Sequence, residues 1–358
     1  MNVKNSIHGG NIWAAARKHS CSPERFIDFS ANINPLGPSP FALEAIHKGI
    51  DMVQHYPDPE ATELKMKLSH YLSVPENNLL LGNGGAEIIY ALCRALNPKR
   101  LVLPVPTFSE YREALSRVPI EPVFLQAENN FALPVELISK TMQPGDAVFI
   151  CNPNNPTGFM VSKSELIKLS VRAREVGATL VVDEAFMDFA GHKETVLPHV
   201  LENQHAVVVG SLTKFFALPG LRLGYLAADK ALIHKVNQQL PPWRVNLLAQ
   251  MAGEASLEDE NYMEETLQII NREREFLYQG LNNITGLKPY PSRTNFILVN
   301  CSATGITAEI ISNKLADNNI LVRVADNFPG LDKYYFRVAV RKRYENELLL
   351  KNLRSIQI

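Results

Sequence analysis

Short apolar runs alternate with helix-like segments through the middle of the chain, between Asn78 and about Ala228. The predicted strands are Leu79–Leu81, Leu101–Leu103, Pro122–Leu125, Ala147–Ile150, Thr179–Val182, Ala206–Val209 and Leu223–Ala227. The predicted helices include Glu87–Ala95, Glu110–Ser116, Lys163–Val176 and Ala231–Gln238. Strands that are apolar throughout and alternate with helices indicate a mainly parallel sheet covered on both faces. The pattern therefore predicts an α/β domain.

The rest of the chain is typical of an α+β unit. A long helical region, roughly Leu247 to Leu281, carries its charges on one side. The elements predicted after it are the strands Phe296–Val299, Leu321–Val324 and Tyr334–Val338 and the helices Ile306–Ala316 and Tyr344–Leu353. Because 358 residues exceed the usual size of one core, we predict two domains. The large one covers 40–245, and the small one combines 1–39 with 246–358.

Composition and charge exclude several classes of protein. Hydrophobic residues make up 46% and the net charge is −1, so no broad positive field favours nucleic acid or an anionic membrane as a partner. No apolar stretch is long enough to span a bilayer, and Met1–Gly10 lacks the apolar core of a signal peptide. Four well-separated cysteines and nine histidines without ligand spacing predict neither disulfides nor a metal site. The cytoplasm is the expected compartment.

Two loops follow predicted strands, at the edge where open α/β sheets bind ligands. Gly82-Asn83-Gly84-Gly85-Ala86-Glu87 joins a strand to a helix, and its small residues would let backbone N–H groups approach an anion. A plain tight turn is an equally good interpretation of that segment. Asn152-Pro153-Asn154-Asn155-Pro156-Thr157-Gly158 is a rigid loop that can aim one amide at a ligand. A simple β-turn is the alternative, although the string is more specific than a turn needs.

Two further strand ends carry charged residues. Asp183 ends a buried strand, where a carboxylate is costly unless it is paired. A protonated pyridine nitrogen would suit it, and a helix N-cap is the alternative. Lys214 follows Ser211 and Thr213, and Arg222 comes eight positions later. A buried lysine can form a Schiff base with a carbonyl cofactor, and the hydroxyls and the arginine suit a phosphate. An exposed lysine at a strand end remains the alternative for this segment alone.

Together the four segments resemble the fold-type I pyridoxal phosphate enzymes, the aspartate aminotransferase superfamily, over nearly the whole chain. The resemblance implies an aspartate-aminotransferase-like fold, with a mainly parallel mixed sheet in the large domain and a smaller α+β C-terminal domain, and pyridoxal 5'-phosphate as cofactor. Lys214 would form the Schiff base, Asp183 would pair with the ring nitrogen and Asn155 would contact the ring hydroxyl. The remaining implied contacts are Phe108 stacked on the ring and Gly85, Ala86, Ser211, Thr213 and Arg222 at the phosphate.

The same resemblance implies a homodimer, because Tyr56 matches a tyrosine that reaches the phosphate bound to a neighbouring subunit. Two groups of the superfamily fit, the histidinol-phosphate aminotransferases and the L-threonine-O-3-phosphate decarboxylases of cobalamin biosynthesis. The decarboxylases look closer in His8-Gly9-Gly10-Asn11, Asp28–Gly37, Phe328–Asp332 and Tyr334–Arg341. One departure is Gly84-Gly85-Ala86, where the decarboxylase pattern commonly reads Gly-Glu-Thr, although the backbone donors remain.

The resemblance to the decarboxylases implies a site for a phosphorylated amino acid, capped by the N-terminal segment. Its residues would be His8, the backbone of Gly9, Asn32, Asn155, Arg323 and Arg337. Arg337 matches the arginine that holds the α-carboxylate in aminotransferases, and in the decarboxylases it is redeployed towards the phosphate. Surface ion pairing is the alternative for Arg323 and Arg337, and we expect it for Arg341 and Arg343.

The implied reaction turns L-threonine O-3-phosphate into CO2 and (R)-1-amino-2-propanol O-2-phosphate. L-serine O-phosphate is a plausible second substrate that would give ethanolamine phosphate, because one methyl group discriminates only about 10–200-fold. Histidinol-phosphate aminotransferase is the alternative activity. A catalytically silent protein that binds pyridoxal phosphate is the alternative of another class, although Lys214, Asp183 and Arg222 argue against it.

Overall fold

The computed structural model describes residues 8–201 and 203–356. The strands are β1 (Ile27–Asp28), β2 (Leu79–Gly82), β3 (Arg100–Val105), β4 (Ile120–Phe124), β5 (Asp146–Cys151), β6 (Thr179–Asp183), β7 (Ala206–Ser211), β8 (Gly224–Ala227), β9 (Lys288–Pro289), β10 (Phe296–Asn300), β11 (Ile320–Leu321), β12 (Arg323–Val324) and β13 (Tyr335–Ala339). The helices are α1 (Ile12–His19), α2 (Pro40–Gly49), α3 (Thr62–Leu72), α4 (Gly85–Leu96), α5 (Glu110–Ala114), α6 (Val135–Thr141), α7 (Lys163–Val176), α8 (Met187–Ala190), α9 (Leu197–Val200), α10 (Lys230–Asn237), α11 (Leu247–Leu257), α12 (Glu260–Asn282), α13 (Ala308–Asp317) and α14 (Arg343–Ser355).

A seven-stranded sheet in the order β2-β8-β7-β6-β5-β3-β4 forms the centre of the large unit. Only β8 runs antiparallel to its neighbours among these strands. The prediction of a mainly parallel, mixed sheet is therefore confirmed, with one strand at each of the seven predicted places. Residues on both faces of the central strands are buried, because helices cover the sheet on two sides.

The pairing register brings the predicted functional segments to one edge of this sheet. Cys151 pairs with Asp183, and Asp183 pairs with Val209. The loop that begins at Asn152 therefore lies beside the end of β6, and Ser211 at the end of β7 follows next to them. Parallel strands that end together leave a crevice at their carboxyl edge.

Helix α7 shows how local sequence sets an element. Ser162 and Glu165 form a capping box at its start, and Gly177 ends it with φ of 73°. The side chain of Ser162 and the left-handed glycine satisfy backbone groups that the helix itself leaves unpaired. The helix consequently has the bounds predicted from the sequence.

The C-terminal part carries a second sheet, antiparallel, in the order β12-β13-β10-β9. Two predicted elements differ from the structure. The predicted continuous helical region is two helices, because Asp259 accepts a hydrogen bond from the Tyr262 N–H and starts a new helix there. The predicted strand Leu321–Val324 is two short strands in different sheets, since β11 pairs with β1 while β12 pairs with β13.

The two helices that follow the predicted domain boundary pack against different parts of the chain. Helix α11 packs against α2 and α3, which belong to the range 40–245, whereas α12 packs against α14. The parallel pairing of β1 with β11 ties the N-terminal segment to the C-terminal part. The boundaries 40–245 and 246–358 stay a prediction. Within residues 8–201 and 203–356 no helix is long and apolar enough to cross a bilayer, and no cluster of side chains suits a metal ion.

Candidate active site

A cavity of about 110 Å³ opens at the carboxyl edge of the large sheet. Its walls are formed by Gly85, Ala86, Ile89, Phe108, Tyr111, Cys151, Asn155, Asp183, Ala185, Phe186, Ser211, Lys214 and Arg222. Eight of the predicted cofactor residues are among them, whereas Thr213 and Tyr56 are not. Five segments that are far apart in sequence therefore meet at one cavity.

Lys214 projects its amine into this cavity from the turn after β7. Burial lowers the pKa of Lys214 to about 8; the Asp183 carboxylate opposes this effect, and the Arg222 guanidinium adds to it. The amine Nζ lies 3.3 Å from Ser211 Oγ and 6.0 Å from the centre of the Phe186 ring. An amine with this pKa is substantially neutral at mildly alkaline pH, which is the form that attacks a carbonyl.

Asp183 presents a buried carboxylate to the cavity. Tyr111 donates its hydroxyl to Oδ2 at 2.6 Å, and the Ala185 N–H donates to Oδ1 at 2.9 Å. Burial raises the pKa of Asp183 despite these two donors and the nearby Lys214. A carboxylate in this setting is stabilised by a cationic partner.

Tyr111 is a site residue that the sequence analysis did not assign. Its ring is fully buried and packs at 5.6 Å, edge on, against Phe108. Its proximity to Phe108 in sequence is the one available signal, since Phe108 had been assigned to the site, but Phe108 precedes α5 and no helical periodicity links the two residues. Burial and the Asp183 carboxylate raise the pKa of Tyr111 well above its ordinary value, so it remains a hydrogen-bond donor.

The N-terminus of α4 and Arg222 form a cradle for an anion. Gly84, with φ of 87°, precedes the helix, and no side chain caps its first turn. A Cβ atom on Gly84 would lie 2.6 Å from Arg222 Nη2, so the glycine makes room for the guanidinium. Ser211 completes the wall, and its Oγ lies 2.8 Å from Thr213 Oγ1. Thr213 thus supports the cradle through Ser211. Uncapped N–H groups and an arginine together suit a phosphate.

The asparagine-rich loop is held by its own side chains. The Val161 N–H donates to Asn152 Oδ1 at 2.8 Å, and Asn154 Nδ2 donates to Thr157 Oγ1 at 2.9 Å. These bonds leave Asn155 as the loop asparagine that lines the cavity, where its Oδ1 accepts a hydrogen bond from Arg337 Nη1. The loop therefore links the cavity to an arginine of the second sheet.

Arg337 and Arg323 are buried next to each other on paired strands, with exposures of 6% and 9%. Arg337 Nη2 donates to the Ser30 carbonyl at 3.0 Å, and Arg323 Nη2 donates to Asn327 Oδ1 at 2.7 Å. Burial, then the neighbouring Arg323, lowers the pKa of Arg337 to about 9. These exposures argue against surface ion pairing, and two adjacent buried cations suit a doubly charged anion.

The N-terminal segment packs beside these arginines. The Gly10 N–H donates to Ser30 Oγ at 2.8 Å, and a Cβ atom on Gly9 would overlap the Ser30 carbonyl oxygen. Asn32 is buried, and its Oδ1 has no hydrogen-bond partner among the described residues. A buried acceptor without a donor is costly, so Asn32 fits the prediction of a group that meets a ligand.

Other residues named in the sequence analysis also lie outside the cavity. His8 is near its mouth, with its ring 5.9 Å from that of Phe108. Tyr56 is 81% exposed, its ring lies 4.9 Å from that of Trp243, and it does not line the cavity of its own chain. Arg343 makes the expected ion pair, with Glu273, although that carboxylate is buried. The expected pair of Arg341 is with Glu345 at 2.7 Å.

Residues 24–353 match the family model described as aminotransferase class I and II. The chain is 37% identical to a threonine-phosphate decarboxylase from Salmonella typhimurium, over 99% of this chain and 98% of that protein. It is similar to the structure of a histidinol-phosphate aminotransferase from Clostridium acetobutylicum, with a TM-score of 0.86, 30% identity and coverage of 92% of this chain and 98% of that one. An L-threonine-O-3-phosphate decarboxylase from Porphyromonas gingivalis has a TM-score of 0.81 and 26% identity, with coverage of 91% and 98%. The backbone is therefore shared by proteins of both kinds.

Proposed function

Because the chain belongs to the aminotransferase class I and II family, we propose that it is a pyridoxal 5'-phosphate enzyme that decarboxylates L-threonine O-3-phosphate. The products are CO2 and (R)-1-amino-2-propanol O-2-phosphate, a building block for cobalamin. The observation that carries this proposal is the buried pair of Arg337 and Arg323 beside the cavity. The identity of 37% to a threonine-phosphate decarboxylase over almost the full length supports it.

The residues of the cavity fit the cofactor. An amine with a lowered pKa, a buried carboxylate and an uncapped helix N-terminus beside an arginine face one small space. Lys214 would hold the cofactor through its aldehyde group, Asp183 would pair with the ring nitrogen, and the turn of Gly85 and Ala86 with Arg222 would hold the phosphate. When bound, pyridoxal 5'-phosphate supplies an electron-withdrawing ring that takes up the electron pair of the broken bond.

The side chains around the substrate decide which bond breaks. The bond that stands perpendicular to the cofactor ring is the one cleaved, so decarboxylation requires the α-carboxylate in that position. Arg337 is engaged with Asn155 and the Ser30 carbonyl. We assign Arg337 and Arg323 to the substrate phosphate, with His8, the Gly9 backbone and Asn32. The α-carboxylate, which is assigned to no arginine, would then leave as CO2, and Lys214 Nζ would return a proton to the α-carbon.

The working unit is a homodimer. Large apolar side chains of α2 and of the residues just after it are exposed, namely Phe41 (52%), Ile50 (48%) and Val53 (61%), and so is Trp243 (47%), which contacts Tyr56. A monomeric protein rarely leaves such a group uncovered. We assign this face to a second copy of the chain, with Tyr56 reaching the phosphate in the neighbouring site. The cytoplasm is the proposed compartment, in keeping with four free cysteines.

An assay with separate readouts tests the activity. The holoenzyme is incubated with phosphothreonine, with phosphoserine, and with histidinol phosphate plus 2-oxoglutarate, and CO2 and glutamate are measured in each. We expect CO2 from phosphothreonine, a weaker signal from phosphoserine and no glutamate. Glutamate from histidinol phosphate without any CO2 would replace the proposal by the aminotransferase activity. Bound cofactor with neither product would favour the silent binding protein.

A further inference from the structure

Glu110 lies outside the cavity, yet its carboxylate joins three parts of the chain. The Nε2 atom of His8 lies 2.8 Å from Glu110 Oε1, and the Tyr90 hydroxyl donates to Glu110 Oε2 at 3.0 Å. Glu110 is the first residue of α5, Tyr90 belongs to α4, and His8 belongs to the N-terminal segment. Because a carboxylate only accepts hydrogen bonds, the His8 nitrogen that faces it carries a hydrogen.

The anchor and the anchored side chain differ in exposure. The side chain of Glu110 is 18% exposed, whereas that of His8 is 51% exposed. Because about half of the His8 side chain is exposed to solvent, general packing restrains it little, and specific contacts must hold its orientation. Its contacts include those with Phe108, a wall of the cavity, and with Glu110. An imidazole fixed in this way spends less entropy when it binds a ligand.

The N-terminal segment is also fastened next to the substrate arginine. The Gly10 N–H donates to Ser30 Oγ, and the Ser30 carbonyl accepts a hydrogen bond from Arg337 Nη2. Ser30 and Glu110 therefore both hold the segment. The contact with Glu110 restrains the His8 side chain, which can donate a hydrogen bond to a phosphate.

We propose that Glu110 is a positioning residue for the phosphorylated substrate, acting through His8, and that it contributes to the preference for a phosphate ester over free threonine. This inference rests on the proposed function, because it assumes that His8 contacts the substrate phosphate. Removing the carboxylate leaves the cofactor residues in place but lets the His8 side chain turn away. The loss therefore falls on binding of the phosphate.

The test compares Glu110→Ala and Glu110→Gln with the wild-type holoenzyme. In Glu110→Ala we expect the KM for phosphothreonine to rise about tenfold, the usual cost of losing a charge-assisted contact, with kcat within about twofold. The Ki of inorganic phosphate as a competitive inhibitor should rise in parallel, and the cofactor absorbance should not change. Glu110→Gln keeps the shape of the side chain and should show a smaller rise in both. Glu113→Gln is the matched control, because Glu113 is exposed on the same helix without a side-chain hydrogen bond among the described residues.

A double variant separates a positioning role from a structural one. If Glu110 acts through His8, then Glu110→Ala adds nothing to the KM or the phosphate Ki of His8→Ala. Additive effects in the double variant, or unchanged KM and Ki in Glu110→Ala, would overturn the inference. So would a fall in kcat together with loss of bound cofactor in Glu110→Gln. If the wild-type enzyme releases no CO2 from phosphothreonine, the proposed function fails first, and the phosphate Ki still reports on Glu110.

Discussion

Replacing Asp183 by Asn separates the catalytic role of its charge from its structural role. In the variant, Oδ1 can keep the hydrogen bond from the Ala185 N–H, and the Tyr111 hydroxyl can turn to accept from the new amide. The two bonds survive, and only the negative charge is lost. Breaking a buried charge pair costs about 3–5 kcal/mol, which corresponds to roughly 10²- to 10⁴-fold in kcat if that pair forms with the cofactor ring.

The same substitution should have a favourable effect on the stability of the cofactor-free protein. Burial raises the pKa of Asp183 above the ordinary 3.8. A carboxyl group whose pKa is raised by folding is more easily buried in its protonated form. The free energy of unfolding therefore falls as the pH rises through the raised pKa and the buried group ionises. Asn carries no such penalty. Cofactor-free Asp183→Asn should therefore be more stable than wild type at neutral pH, and the advantage should shrink under acidic conditions.

The assay measures kcat with saturating phosphothreonine, cofactor absorbance, and thermal unfolding of the cofactor-free protein at acidic and neutral pH. Asp188→Asn is the matched control, because Asp188 is also buried and accepts a tyrosine hydroxyl, that of Tyr71, at 2.8 Å, but does not line the cavity. We expect its kcat to stay near the wild-type value. A kcat near wild type for Asp183→Asn with full cofactor occupancy would refute the assignment of Asp183 to the ring nitrogen.

Three further predictions follow from the site. Lys214→Met should lack the cofactor absorbance and the turnover of wild type, and wild-type turnover in this variant would exclude Lys214 as the Schiff-base residue. Without cofactor, the variant should unfold less easily than wild type near neutral pH, because it buries no charge. This difference in the free energy of unfolding should narrow as the pH rises from about 8 towards 10.5, where folded Lys214 is neutral while unfolded Lys214 is still charged. Arg323→Ala and Arg337→Ala should each lower kcat/KM for phosphothreonine by about tenfold or more, unlike the exposed control Arg117→Ala, and unchanged values would refute the phosphate clamp. Mixing Tyr56→Phe with Lys214→Met subunits should restore activity, since one site of each heterodimer carries neither lesion; absence of recovery despite proven subunit exchange would place the action of Tyr56 within its own chain.

The sequence predicted the large sheet well because its strands are buried on both faces. Runs such as Ala206–Val209 are apolar throughout, which only a covered strand tolerates. Helix α7 was predicted with its observed bounds because Ser162 and Gly177 are strong local signals at its two ends. Asp259 is an equally local signal, but it sits inside a pattern that is helical on both sides, so the break was missed.

The site was predictable where a motif lies at a strand end, as for Lys214 and Asp183. It was not predictable where function depends on contacts between distant segments. Tyr111 is 72 positions from the carboxylate it touches, and Glu110 is 102 positions from His8. The sequence holds no periodicity that connects such pairs, because the tertiary fold alone brings them together. Tyr56 is a further case, since its proposed target belongs to another copy of the chain.

The most direct test of the central claim follows the carbon of the α-carboxylate. The holoenzyme is given phosphothreonine labelled with ¹³C at that carbon, in deuterated water and without a keto acid, and the products are followed by NMR. We expect labelled CO2 in equal amount to an aminopropanol phosphate that has gained one deuterium at the carbon that lost the carboxylate. Retention of the label in an amino acid or a keto acid, with the α-hydrogen exchanged and no CO2, would contradict it.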